Sequence, residues 1–141
     1  MNKILRVSMM AVLALVANIG FAQTTILWQE DFSSYKADDV PNGGAYNYAC
    51  EVEGTKVYKE KLAGGDVPEL LVKTKGSFSA TVALNGVSGQ LTLTYKANKN
   101  IKITVENATA GDVVKVGNDC TCPVTVAAGT NSITIKFSNT Y

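Results

Sequence analysis

Ser77-Phe78-Ser79-Ala80-Thr81-Val82-Ala83-Leu84 places Phe78, Ala80, Val82 and Leu84 on one side of an extended chain and Ser77, Ser79 and Thr81 on the other. Successive side chains of a strand point to opposite faces, so the stretch reads as a strand with one apolar and one polar face. The same period recurs downstream. Leu91, Leu93 and Tyr95 alternate with Thr92, Thr94 and Lys96. Ile101, Ile103 and Val105 alternate with Lys102, Thr104 and Glu106, and Ile133, Ile135 and Phe137 with Ser132, Thr134 and Lys136. This is the pattern of half-buried antiparallel strands.

Between these strands lie Asn85-Gly86, Ser88-Gly89, residues 98–100, Ala110-Gly111 and residues 129–131, all rich in residues that accept turn geometry. Further strands are expected over 25–32, 46–52, 55–60, 69–74, 113–116 and 121–126, and no window carries a helical stripe. Many short strands, each apolar on one side, bury those sides against a second sheet. The expected fold is therefore all-β, an antiparallel two-sheet β-sandwich. The longest irregular stretch, 33–45, contains Asp38-Asp39-Val40-Pro41-Asn42-Gly43-Gly44. It reads as a binding loop or as a crossing between the sheets.

The N-terminus has a different character. Lys3 and Arg6 form a short basic start, residues 7–20 are almost unbroken apolar sequence, and Gly20-Phe21-Ala22 offers small residues at the positions a signal peptidase reads. Residues 1–22 are thus expected to be a secretory signal peptide cut after Ala22, and residues 23–141 a single β-sandwich domain. The apolar run falls short of the roughly 18 to 20 residues of a membrane-spanning helix. No cysteine follows the expected cut, so a lipid anchor at that point is not expected. The expected location is secreted, periplasmic or cell-surface, with no membrane insertion after cleavage.

Removing the leader takes Lys3 and Arg6 with it and leaves 11 Lys against 12 Asp plus Glu. The Lys form no basic stripe, so nucleic acid is not an expected partner. Residues 23–141 contain neither Arg nor His. Bidentate phosphate clamps, imidazole bases and the commonest metal ligand are thereby excluded. Gly86-Val87-Ser88-Gly89 reads as a turn and not as a nucleophile elbow, no glycine-rich loop precedes a helix, and paired carboxylates alone do not make an active site. The chain is expected to be non-enzymatic.

Three groups of residues remain as candidates. Cys50, Cys120 and Cys122 would, in an exported protein, favour one disulfide. Cys120 and Cys122 flank one residue and would close only a strained ring, so Cys50 is the better partner for either. The alternative is three buried thiols acting as small hydrophobes. A zinc site is disfavoured, since three thiolates without His lack a fourth ligand. Glu30 and Asp31 end the first mature strand and Asp38-Asp39 follows, which concentrates oxygens where a structural calcium would sit; solvated carboxylates at a strand end are the alternative. Tyr46 and Tyr48 would share a strand face and offer rings to a sugar, against the alternative of cross-strand packing. Trp28 and Tyr95 read as core.

The run Trp28-Gln29-Glu30-Asp31-Phe32-Ser33-Ser34 and the Gly/Asn loop after it resemble the opening of jelly-roll accessory domains of secreted bacterial surface proteins, which are similar in architecture to carbohydrate-binding modules. The later series Gly76-Ser77-Phe78-Ser79-Ala80, Leu91-Thr92-Leu93-Thr94-Tyr95-Lys96-Ala97 and Asn131-Ser132-Ile133-Thr134-Ile135-Lys136-Phe137 extends the resemblance over most of the mature chain. It implies a jelly-roll whose Glu-Asp-Phe strand pairs near the C-terminal strand, at times with a calcium shared between them, to which Glu30 and Asp31 would contribute. Such domains continue past the equivalent of Phe137-Ser138-Asn139 into a final strand bearing Asp residues, whereas this chain stops at Tyr141. A truncated gene, a piece of a longer protein, or a sandwich edge completed by another chain would each account for that difference. A glycan or a surface protein is the expected partner class. A purely structural spacer, or a domain that captures a partner through an open edge strand, is the alternative.

Overall fold

The computed structural model describes residues 7–9, 13–18, 24–65 and 68–141. Lys3, Arg6 and Gly20-Phe21-Ala22, which carry the basic start and the expected cleavage site, lie outside the described residues. Among the described residues there are thirteen strands and no helix.

The strands are β1 (Val7–Met9), β2 (Leu13–Asn18), β3 (Thr24–Glu30), β4 (Ala49–Glu51), β5 (Lys56–Tyr58), β6 (Glu69–Val72) and β7 (Ser77–Ala83). They continue with β8 (Gly89–Lys96), β9 (Lys102–Glu106), β10 (Thr109–Ala110), β11 (Val114–Val116), β12 (Asp119–Val126) and β13 (Ser132–Ser138). Two main antiparallel sheets form the sandwich. One runs β10-β12-β8-β2-β3 with β11 also on β12, and the other runs β4-β7-β13-β9. A small third sheet, β1-β6-β5, is additional to the two expected.

The alternating stretches build this core as their period requires. Phe78, Ala80, Val82, Leu84, Leu91, Leu93, Ile133, Ile135 and Phe137 are all buried, and the intervening residues of β7, β8 and β13 are more exposed. Registers keep these faces aligned: Phe78 sits opposite Phe137 across β7 and β13, and Cys122 opposite Leu93 across β12 and β8. Burying a side chain of Leu or Phe size contributes about 1.5–3 kcal/mol. Gly76, before β7, lies where a Cβ would come within 2.5 Å of Thr55 Oγ1 and 2.8 Å of the Glu51 carbonyl, so only a residue without a side chain fits.

The sandwich also draws on residues 13–18, which sequence assigns to the leader. β2 lies between β3 and β8 and pairs antiparallel with both. Leu15 and Ala17 are buried in the common core. Leu15 faces Trp28 across one ladder and Leu93 across the other. On the β3 side the register shifts between Leu15 and Val16, leaving Leu27 as the extra residue of a bulge.

Candidate functional site

Aromatic rings gather where β3 meets the segment leading into β4. Trp28 lies 6.3 Å from Tyr46 and 6.4 Å from both Tyr48 and Phe137, measured between ring centroids, and Tyr48 lies 5.1 Å from Phe78. Edge-on and tilted arrangements of this kind suit the ring quadrupoles. A polar chain runs through the cluster. Trp28 Nε1 donates to the Tyr48 hydroxyl at 2.9 Å, and that hydroxyl donates to Glu30 Oε1 at 2.7 Å. Glu30 Oε2 accepts from the Phe32 amide at 2.8 Å. Phe32 is fully buried with φ at 55°, a left-handed conformation that costs a non-glycine residue free energy, and the Glu30 carboxylate supports it there.

Tyr46 and Tyr48 are therefore in contact, with centroids 5.8 Å apart, but they do not share a strand. Tyr46 is half-buried in a turn over residues 44–47. Tyr48, 5% exposed, closes that turn by exchanging backbone hydrogen bonds with Gly43 at 2.8 and 2.9 Å. Burial pushes the Tyr48 phenol far above its ordinary value; the Trp28 bond acts against this and the neighbouring Glu30 carboxylate adds to it. Tyr35 is raised too, by burial first and then by Glu30.

Glu30 and Asp31 do not offer their oxygens to a common point. Asp31 Oδ1 accepts from the Ser33 amide at 2.9 Å and the Ser33 hydroxyl at 2.6 Å, and the hydroxyl bond chiefly holds its carboxyl below the usual range. Both Glu30 oxygens face donors, whose positive ends a cation would have to displace. Calcium takes six to eight oxygen ligands, and among the described residues no cluster of three acidic, Cys or His side chains approaches that. The two carboxylates serve as turn caps, a donor set that does not fit the ion.

The loop at 33–45 is pinned rather than free. The Asp38 amide donates to the Val57 carbonyl and the Val57 amide to the Asp39 carbonyl, both at 2.8 Å, which lace the loop to β5. Asp38 pairs with Lys56 at 2.7 Å, and the bond to that ammonium holds the exposed carboxyl low.

The three cysteines are free, which corrects the expectation of a bridge from Cys50. Cys50 lies on β4, at the side of the sandwich where β7 meets β3. Cys120 and Cys122 lie on β12, three strand steps from β3 in the opposite sheet, with β8 and β2 between. That separation is about 14 Å at about 4.8 Å per strand, beyond the reach of a disulfide. Burial pushes the Cys50 thiol up to about 11 and raises Cys120 and Cys122 as well. Such thiols stay protonated and unreactive at neutral pH.

Sequence reasoning missed Glu69, which is fully buried at the start of β6. Its carboxylate accepts from the Ala63 amide at 3.1 Å and the Gly65 amide at 3.1 Å, and so organises the chain before it. The only sequence signal was a lone carboxylate heading the apolar Leu70-Leu71-Val72, a few residues after the amide-rich Gly64-Gly65.

Compared with known protein families, curated proteins and solved structures, the chain matches none.

Proposed function

We propose that the chain is an exported, non-catalytic β-sandwich that acts as a binding and display module at the bacterial surface. The observation that carries this reading is the Trp28–Tyr48–Glu30 chain: the side chains best suited to chemistry are tied to one another in the service of the fold. Asp31 is likewise engaged by Ser33, and the thiols, two buried and that of Cys50 half-buried, stay protonated. What such a molecule has to offer a partner is its surface. The leader-like residues 1–22 and the resemblance to jelly-roll accessory domains support export, and glycan is the ligand class they favour.

Of the two tyrosines, Tyr46 is the one with an accessible ring, standing on the rim of a rigid aromatic cluster. Rings fixed in this way stack on sugars with little loss of conformational freedom. Affinity electrophoresis against a panel of polysaccharides tests the glycan reading. Retardation on one glycan, abolished by Tyr46→Ala with the unfolding midpoint preserved, is the expected result; mobility unaffected by every glycan would sink it.

A second reading, capture of a protein strand, is favoured by the position of β2 inside the larger sheet.

A further inference from the structure

The alternating segments among the described residues from Thr24 onward are already paired within the three sheets. β3 is the exception in one respect: its only ladder partner, β2, lies before Thr24. Cleavage after Ala22 would remove β2 and leave β3 facing β8 across the width of one missing strand, about 9.6 Å at about 4.8 Å per step. Both walls of that gap carry unpaired backbone donors and acceptors. On the core side those walls carry Trp28 of β3 and Leu91 and Leu93 of β8, each 0–1% exposed while β2 is in place. Unpaired buried amides and newly uncovered apolar side chains are both costly in water, so the gap calls for a replacement strand.

We propose that the exported protein uses the space between β3 and β8 as a strand-acceptor groove, filled by an extended segment of a second polypeptide running antiparallel to both walls. The proposal rests on the export reading above. The leader strand defines the chemistry of the occupant. It needs a Leu-sized apolar side chain opposite Trp28 and Leu93, as Leu15 has, and a small one two positions on, opposite Leu91, as Ala17 has. Backbone pairing supplies affinity in such strand addition, and the alternate side chains supply selectivity. The described residues from Thr24 onward have no spare strand to lend to a second copy, which is why the donor is a different chain. Tethered in cis, the leader occupies the groove until it is cut, so that capture of a partner follows export.

The test expresses the chain with its own leader in an exporting bacterium, purifies it from outside the cytoplasm and measures its intact mass. A full-length mass would overturn cleavage after Ala22, and retention of all the protein in the cytoplasm would overturn export; either result would overturn this proposal. Protein lacking residues 1–22 is then mixed with a synthetic peptide of residues 11–20 carrying solubilising lysines at both ends. A matching peptide with Leu15→Lys serves as control. Trp28 is the only Trp in the chain and lines the groove, so its emission reports occupancy directly. The expected result is a saturable shift of emission to shorter wavelength and an unfolding midpoint that rises by several degrees with peptide concentration, neither produced by the control. Should the cleaved protein be unfolded by itself, the peptide is expected to restore the fold, and failure to restore it refutes the groove. Emission and midpoint unmoved by the peptide in a folded cleaved protein refute the groove and leave the export reading standing.

Discussion

Tyr48→Phe deletes one oxygen and, with it, two hydrogen bonds at the centre of the aromatic cluster. The ring contacts with Trp28, Tyr46 and Phe78 survive, so the change isolates the polar chain from the packing. Trp28 is 1% exposed, and its Nε1 donor is left without an acceptor; an unsatisfied buried donor costs about 1–3 kcal/mol. The bond from the hydroxyl to the Glu30 carboxylate belongs to a class worth about 1.5–3 kcal/mol, here reduced because Glu30 is half-exposed and water takes the vacated place. Together the loss should be about 2–4 kcal/mol, or about 6–15 °C in unfolding midpoint for a chain of this size. Urea unfolding monitored by Trp28 emission measures it. Tyr46→Phe is the comparison variant and should fall within about 0.5 kcal/mol of the parent. A double-mutant cycle with Glu30→Ala should return a coupling of about 1 kcal/mol or more. The phenol also leaves a pH signature. Its pKa is raised in the folded state, so above about pH 10 the unfolded chain releases a proton that the native protein keeps, and stability falls as pH rises. Tyr48→Phe should flatten that alkaline decline. A variant as stable as the parent, with an unaltered alkaline limb, would refute the reasoning.

Other expectations follow from single sites. Gly76→Ala should cost about 2–4 kcal/mol in urea unfolding, because Thr55 Oγ1 and two backbone carbonyls lie within 2.5–2.9 Å of the new Cβ. Val52→Gly should raise stability by about 0.5–1 kcal/mol, since a half-exposed β-branched residue with φ at 75° gives up strain and little burial. A thiol reagent should count three free thiols per chain after unfolding and react far more slowly with the native protein at pH 7.5; fewer than three would mean a bridge. With Cys50 raised to about 11 from 9.0, the native state also holds that thiol proton more tightly, so stability should decline between about pH 9 and 11. A chelator should leave the unfolding midpoint unmoved, because the Glu30 and Asp31 oxygens face donors within the chain.

The period-two stretches made the sandwich legible because burial on one face of a strand leaves a binary record in the sequence. Leu91, Leu93 and Tyr95 are buried and Thr92, Thr94 and Lys96 are not, as alternation alone requires. Strand β2 was illegible for the opposite reason. An unbroken apolar run has no period, and residues 7–20 read as a leader on composition. Tyr46 and Tyr48 were placed on one face by counting, but the turn at 44–47 breaks the strand between them, and the partner that matters, Trp28, is 20 residues away. Cys50 and Cys122 show the same limit: oxidising conditions favour a bridge between cysteines in general, while only the strand order reveals that these two stand on separate parts of opposed sheets. Glu69 was invisible as a buried anchor because its partners are backbone amides, which every sequence contains.

The central claim is that this sandwich is sent out of the cytoplasm at the expense of a segment that its larger sheet contains. The intact mass of protein recovered from outside an expressing bacterium tests it most directly. A mass corresponding to residues 23–141 is predicted. Recovery of the full-length chain there, or retention of all the protein in the cytoplasm, would contradict it.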